Sequence, residues 1–177
     1  MKKHLGLTHI YCGDGKGKTT ASLGIVLRSI GCHFNVVFTQ FLKDNDSSEL
    51  EVLRKYDNVR IISGKGVRGF TKFMKQKDLK QVTNIQNVHL KQAIDLCNDG
   101  KCDVLVLDEI IGAVNTNTVD YEMLLDFLKN RPKNIEVIMT GRNPKKELVE
   151  IADYVSEIRK IKHPFDKGIP AREGVEK

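Results

Sequence analysis

The stretch YCGDGKGKTT, residues 11–20, decides the fold that the rest of the chain is expected to adopt. A phosphate-binding loop normally has four residues between its first glycine and the Gly-Lys-Ser/Thr that follows. Here three residues separate Gly13 from Gly17, so the loop is one residue shorter than that pattern. The run THIYC before the loop favours a strand, and the run after it favours a helix. This is the context in which such a loop binds phosphate.

The residues of this loop have the chemistry needed to hold an anion. Glycines leave backbone N–H groups unobstructed, and the N-terminus of the following helix adds a partial positive charge. Lys18 supplies a mobile positive charge, and Thr19 supplies a hydroxyl suited to Mg²⁺. The alternative is a glycine- and lysine-rich turn without a ligand. The predicted nucleotide-binding residues are Gly13, Asp14, Gly15, Lys16, Gly17, Lys18, Thr19, Thr20 and Arg28, of which Arg28 could equally be a surface arginine.

Strand-like and helix-like runs alternate along the chain. The predicted strands are THIYC, NVVFTQF, NVRIIS, DVLVLDE, IEVIMTG and YVSEIRKI. The predicted helices are residues 19–30, SSELEVLRKY, a long helix through Leu90 and Cys97 that ends near Gly100, TVDYEMLLDFLKN and NPKKELVEI. Because helical crossovers join the strands, the sheet should be mostly parallel and covered on both faces. We therefore predict a three-layer α/β fold of the P-loop NTPase type with about six strands.

The organisation of the chain suggests a single nucleotide-binding domain over residues 1–177, with an irregular tail over residues 162–177. In parallel sheets, ligands bind outside the carboxyl ends of the strands. The loops after the first, second, fourth and fifth predicted strands should therefore converge. The run VLVLDE places Asp108 and Glu109 at one of these ends, where a carboxylate can hold Mg²⁺ directly or through water.

Composition and charge exclude several classes of protein. The net charge of +6 is compatible with phosphates, nucleic acid, an acidic partner or a solvated lysine-rich surface. No apolar run reaches the roughly 20 residues that cross a membrane, and the N-terminus does not read as a secretory signal. The four cysteines lack metal or redox spacing, so we expect reduced thiols in a cytoplasmic protein.

A basic segment, GKGVRGFTKFMKQKDLK, follows the third predicted strand. Basic residues interleaved with Phe70 and Phe73 also occur where single-stranded nucleic acid stacks on aromatic rings. We favour the alternative of a polar loop, in a position that suits a lid over a bound ligand. Arg142, in the run MTGR, ends the fifth predicted strand and is a candidate phosphate or substrate contact.

Together these motifs resemble the P-loop family of ATP:cob(I)alamin (corrinoid) adenosyltransferases. The shared pieces are the short loop, TQFLK, GFT, LDEI, RP, TGR, ADYVSEI and the tail KHPFDKGIPAREGVE. The resemblance implies transfer of the 5′-deoxyadenosyl group of ATP to the Co(I) centre of a reduced corrinoid, with release of triphosphate. It implies Lys18 and Glu109 as catalytic residues, with Mg²⁺, or Mn²⁺ in its place, held by Thr19 and Glu109.

The resemblance also implies a homodimer, a flavoprotein reductase as partner, and corrinoid contacts from Phe70, Lys72 and Arg142. The departures from the family lie on the corrinoid side: Lys72 replaces the tryptophan of GFTW, and the chain contains no tryptophan. The alternative function is therefore an ATP-dependent binding or regulatory module, for nucleic acid or a protein, that has lost corrinoid adenosylation. We expect the corrinoid rather than nucleic acid as ligand, and no membrane partner.

Overall fold

The computed structural model of the protein describes residues 4–43, 47–63 and 76–176. Within them, a single sheet is formed by β1 (Thr8–Cys12), β2 (Val36–Gln40), β3 (Val59–Ile62), β4 (Val104–Asp108), β5 (Glu136–Thr140) and β6 (Tyr154–Glu157). The strand order is β3-β2-β4-β5-β1-β6, and every neighbouring pair is parallel. The predicted parallel sheet of about six strands is confirmed.

The crossovers between the strands are helical. They contain α1 (Lys18–Gly31), α2 (Ser48–Leu53), α3 (Gln76–Asn98), α4 (Ile110–Asn115), α5 (Tyr121–Asn130) and α6 (Lys146–Ile151). All of these except α4 were expected from the sequence. Helix α5 begins one residue after Asp120, whose side chain accepts a hydrogen bond from the Met123 amide and so caps the helix.

Strand β4 shows why its sequence is apolar throughout. Successive side chains on a strand point to opposite faces of the sheet. Leu105 and Leu107 belong to one core cluster, with residues from α3, α4 and α5. Val104 and Val106 belong to a second cluster, with residues from α1 and α2. The sheet is therefore covered by helices on both faces, and the predicted three-layer architecture is confirmed.

The last strand is shorter than the sequence predicts. The run YVSEIRKI favours a strand as far as Ile161, but β6 ends at Glu157. Beyond that point the Ile158 carbonyl accepts a hydrogen bond of 2.8 Å from the Gly15 amide. The backbone after β6 is thus used to brace the phosphate loop rather than to extend the sheet.

Two expectations about the chain as a whole can be compared with the structure. The four cysteines are free thiols, of which Cys32 is exposed and the other three are buried. In the described part of the chain, no helix combines the length and the apolar character needed to cross a membrane.

Arg131 connects the end of α5 to the segment that enters β1. Its guanidinium is buried and donates to the carbonyl of Leu128 at 2.6 Å, the carbonyl of Gly6 at 2.8 Å and the hydroxyl of Thr8 at 2.8 Å. Burial lowers the pKa of Arg131. Gly6 and Thr8 lie more than 120 residues before Arg131 in the sequence. The arginine therefore fixes the start of β1 against the end of α5.

We expect Arg131→Met to lower the free energy of unfolding by about 3 kcal/mol, because it leaves several buried acceptors without a donor. Urea denaturation followed by circular dichroism measures this change. The control is Arg54→Met, since the exposed Arg54 side chain pairs with Glu51 across one helical turn; its effect should stay within about 0.5 kcal/mol. Equal effects of the two substitutions would contradict a structural role for Arg131.

Candidate active site

The loops that follow β1, β2, β4 and β5 meet at the carboxylate of Asp108, which is fully buried. Its Oδ1 accepts hydrogen bonds from the hydroxyls of Thr19 at 2.9 Å and Thr140 at 2.7 Å. Its Oδ2 accepts from Lys43 Nζ at 2.7 Å and from Gln40 Nε2 at 3.3 Å. The convergence predicted from the parallel sheet is therefore confirmed.

The glycines of the phosphate loop pack directly against the backbone that follows β6. A Cβ added to Gly15 would lie 2.8 Å from the carbonyl oxygen of Ile158 and 2.8 Å from the carbonyl carbon of Arg159. One added to Gly13, whose φ is +104°, would clash with the same Ile158 oxygen. The Gly15 amide donates a hydrogen bond to that oxygen. The glycines thus serve the packing of the loop as well as its access to an anion.

Lys18 and Glu109, the two predicted catalytic residues, line the same cavity. Lys18 Nζ donates to the Gly15 carbonyl at 2.7 Å, within the loop itself. Burial lowers the pKa of Lys18, and the charge of Glu109 is the largest influence in the opposite direction. Burial also raises the pKa of Glu109, and repulsion from Asp108 adds to that rise. Lys18 and Glu109 are therefore both incompletely solvated, so an ion that enters this cavity meets charged groups that are only partly screened by water.

Glu109 has an unusual backbone conformation, with φ of 61° in the left-handed region. This conformation costs a residue other than glycine about 1–2 kcal/mol. The Glu109 amide donates to the Thr140 hydroxyl at 2.8 Å, and that hydroxyl in turn donates to Asp108. Thr140 therefore fixes both adjacent acidic residues. Strained residues of this kind cluster at functional sites, and the sequence carries no local signal for this one.

The tail that follows β6 forms a wall of the site. A 3-10 turn spans Pro164–Lys167. A cavity of about 460 Å³, here called the loop cavity, is lined by the phosphate loop, Glu109, Arg142 and tail residues between His163 and Glu176. A second cavity of about 480 Å³, here called the helix cavity, is lined by Thr19, Thr20, Leu23, Lys43, Ser47, Ser48, Glu49, Gly174, Val175 and Glu176.

Ion pairs and hydrogen bonds connect the tail to the phosphate loop. Glu176 Oε1 lies 3.3 Å from Lys16 Nζ. Hydrogen bonds from Arg172, with a smaller contribution from Lys16, lower the pKa of Glu176 to about 2. Asp14 Oδ1 accepts from the Lys160 amide at 3.0 Å, which is the main reason that the pKa of Asp14 is lowered. The loop and the tail therefore form one connected wall around the loop cavity.

Not every predicted site residue lies in these cavities. Arg142 lines the loop cavity, and its contact with a ligand stays a prediction. Arg28 lies about 13 Å along α1 from Thr19, since nine residues of helix separate them. Burial raises the pKa of Tyr11, and the charge of Arg28 partly offsets that rise. The structure thus does not bring Arg28 to either cavity. The predicted corrinoid contacts Phe70 and Lys72 lie outside the described residues.

The surroundings of Thr19 and Asp108 fit a hard divalent cation. Mg²⁺ is commonly held by one or two carboxylates together with phosphate oxygens of the substrate. The Thr19 hydroxyl donates a hydrogen bond to Asp108. Glu109 lines the loop cavity, and it was the carboxylate predicted to bind the metal. Among the described residues, no three His, Cys, Asp or Glu side chains are grouped so that they could hold a metal ion by themselves. A metal here would need further ligands from a nucleotide.

These features define a P-loop nucleotide-binding protein: a parallel sheet, a glycine-rich loop between β1 and α1, and a buried carboxylate bonded to the loop threonine. A solved structure with a similar fold is EssC (ATPases 2 and 3) from Geobacillus thermodenitrificans, with a TM-score of 0.52 and 14% identity. The match covers 96% of this chain but 35% of that chain, so this protein spans about a third of the EssC chain. At this identity the likeness concerns the fold alone.

Sequence comparisons then give the family. The family model described as ATP:corrinoid adenosyltransferase BtuR/CobO/CobP matches residues 4–176. A corrinoid adenosyltransferase from Sinorhizobium sp. is 34% identical over 97% of this chain and 80% of its own length. The corrinoid adenosyltransferase CobA of Salmonella typhimurium is 31% identical over 97% and 85%, respectively.

The chain belongs to the family of ATP:corrinoid adenosyltransferases. It is accordingly a nucleotide-binding transferase of cobalamin biosynthesis, with ATP and a corrinoid as its substrates. The family and the activity predicted from the sequence motifs are confirmed, and the comparisons give no support to the alternative of a binding module.

The contact between Gly15 and the backbone after β6 leads to a prediction about ATP affinity. Gly15→Ala should weaken ATP binding about tenfold to a hundredfold. The new methyl group would displace the loop, and a displaced loop would lose one or two hydrogen bonds to phosphate, which lowers affinity by that factor. Isothermal titration with ATP and Mg²⁺ measures the change.

Gly24→Ala is the matched control for this substitution. Gly24 lies within α1, and a Cβ added there meets no atom within 4 Å. The variant should bind ATP normally and gain about 0.5–1 kcal/mol of stability from the better helix former. If Gly15→Ala binds ATP as well as Gly24→Ala does, the loop is not held as the structure indicates.

Proposed function

We propose that this enzyme transfers the 5′-deoxyadenosyl group of ATP to the Co(I) centre of a reduced corrinoid and releases triphosphate. The observation that carries the proposal is the bond between Thr19 and the buried Asp108, beside Lys18, in a chain of this family. The Thr19 hydroxyl contacts a carboxylate, and Lys18 and Thr19 line the same cavity, which supports a role for all three groups. These are the groups that a triphosphate with its metal requires.

The phosphate loop and its neighbours would hold the triphosphate. In the proposal, residues 13–20 bind the phosphate oxygens, and Lys18 exchanges its internal bond to the Gly15 carbonyl for one to phosphate. Thr19 and Asp108, with Glu109 directly or through water, supply the protein side of the metal site. Mg²⁺, or Mn²⁺ in its place, would neutralise negative charge on the phosphate oxygens.

The reaction requires positioning and charge stabilisation more than proton transfer. Co(I) is already a strong nucleophile, so the attack on the ribose carbon requires no protein base. The contribution of the chain is to hold ATP in line with the corrinoid and to stabilise the departing triphosphate. Lys18 and Arg142, which line the loop cavity together, suit the second task. Corrinoid contacts from Phe70, Lys72 and Arg142, and a nucleotide contact from Arg28, stay predictions.

Further features are proposed on the strength of family membership. They are a homodimer, a flavoprotein reductase that supplies the reduced corrinoid, and a cytoplasmic location. We also propose that residues 1–177 form one nucleotide-binding domain. This is supported by the position of β1 next to β6, which joins the two ends of the described chain in a single sheet.

The proposed reaction is tested directly under anaerobic conditions with ATP, Mg²⁺ and chemically reduced cobalamin. We expect the absorbance change of Co–C bond formation and one triphosphate for each adenosylated corrinoid. Product analysis distinguishes transfer from hydrolysis, which would give ADP and phosphate. If the protein binds ATP but forms no Co–C bond, the proposed function is wrong.

Lys18→Ala tests the role of the loop in this reaction. The substitution removes a positive charge from the phosphate site, and we expect kcat/KM to fall about 10²–10³-fold, the size of effect seen when one transition-state donor is lost. The melting temperature should change little. Lys91→Ala is the control, because Lys91 is exposed on α3 and pairs with Asp95. Normal turnover by Lys18→Ala would mean that the loop is not the active site.

A further inference from the structure

The ammonium group of Lys43 lies at the point where the proposed function puts the divalent cation. Its Nζ is 2.7 Å from Asp108 Oδ2, 3.5 Å from Thr19 Oγ1 and 3.9 Å from Glu49 Oε1. These are the oxygen atoms of a threonine and two carboxylates, a set that suits Mg²⁺ or Mn²⁺. A charged group of the protein therefore lies close to the oxygens that a metal would use.

The position of Lys43 is fixed by the end of β2. The Phe41 amide donates to the backbone carbonyl of Asp108 at 2.9 Å, which joins the ends of β2 and β4. Leu42 then adopts a left-handed conformation with φ of 56°, and its side chain packs so closely over Gly112 that an added Cβ there would lie 3.1 Å from Leu42 Cδ1. This strained turn directs the following residue back to the Asp108 carboxylate.

The charge of Lys43 is needed as long as no other cation is present. Asp108 is fully buried, and a buried carboxylate without a compensating charge is strongly destabilising. Of its hydrogen-bond donors within the described residues, Thr19, Thr140 and Gln40 are neutral, and Lys43 carries a charge. The ammonium is only partly covered, with 28% of the side chain exposed, and it borders the helix cavity. It therefore has space into which it can move.

We propose that Lys43 is the resident cation of the Thr19–Asp108 site in the nucleotide-free enzyme and that it must leave before a divalent metal binds. The inference rests on the metal site of the proposed function. A metal ion and an ammonium group cannot both contact Asp108 at close range without strong repulsion. The metal alone is therefore a weak ligand, whereas a metal bound to ATP brings phosphate oxygens that give the displaced Lys43 a new partner. Lys43 thus makes metal binding depend on ATP.

The test measures the binding of Mn²⁺ alone to the nucleotide-free enzyme, by the loss of the free Mn²⁺ signal in electron paramagnetic resonance. The variants are Lys43→Met, which removes charge and donor, and Lys43→Gln, which removes the charge but can still donate to Asp108. Lys91→Met is the control for loss of a surface charge. We expect both Lys43 variants to bind Mn²⁺ about tenfold or more tightly than wild type and the control, because removing one nearby positive charge has at least that effect.

The possible results separate this inference from the proposed function. Equal Mn²⁺ affinity in wild type and both Lys43 variants, with retention of Mn²⁺–ATP by wild type in equilibrium dialysis, overturns the role of Lys43 but leaves the metal site intact. Failure of wild type to bind Mn²⁺ even with ATP overturns both. If the Lys43 variants unfold in EDTA, recovery of the native melting transition on adding Mn²⁺ supports the exchange of cations. No recovery with Mn²⁺ overturns it.

Discussion

The buried carboxylate of Asp108 is the group on which the geometry of the site depends. Its two oxygens accept from residues of three other strand-end loops: Thr19 after β1, Gln40 and Lys43 at the end of β2, and Thr140 at the end of β5. A carboxylate in this position has to be satisfied, because a buried charge without partners is costly. The same requirement that stabilises Asp108 therefore holds the four loops in register with one another.

The phosphate loop depends on a second set of contacts, which come from the other end of the chain. The backbone of Ile158 packs against Gly13 and Gly15, and the backbone of Arg159 packs against Gly15. The Lys160 amide donates a hydrogen bond to Asp14. A residue with a side chain at either glycine would meet backbone rather than open space. The conformation of the shortened loop thus depends on the backbone of residues 158–160 as well as on the anion that the loop binds.

Much of the fold could be predicted because it follows from local patterns. The continuous apolar run of β4 and the strand–loop–helix context of the glycine motif each specify their element within a few residues. The features that could not be predicted depend on contacts across the chain. The left-handed turn at Glu109 is held by Thr140, 31 residues away. Glu176 is held at the site by its ion pair with Lys16, and Lys43 is held by its ion pair with Asp108 at the end of β4. The short α4 had no distinct periodicity because it has only six residues, of which four are buried.

The charges of the site are balanced by the protein itself before any ligand is bound. Lys43 compensates Asp108, Glu176 pairs with Lys16 and Arg172, and Lys18 donates to a carbonyl of its own loop. A triphosphate brought to this site would replace some of these interactions, so its affinity would depend on the difference between the two sets. Such a site keeps a buried acid and several lysines stable in the empty enzyme. It also favours a ligand that brings both a cation and an anion over one that brings either alone.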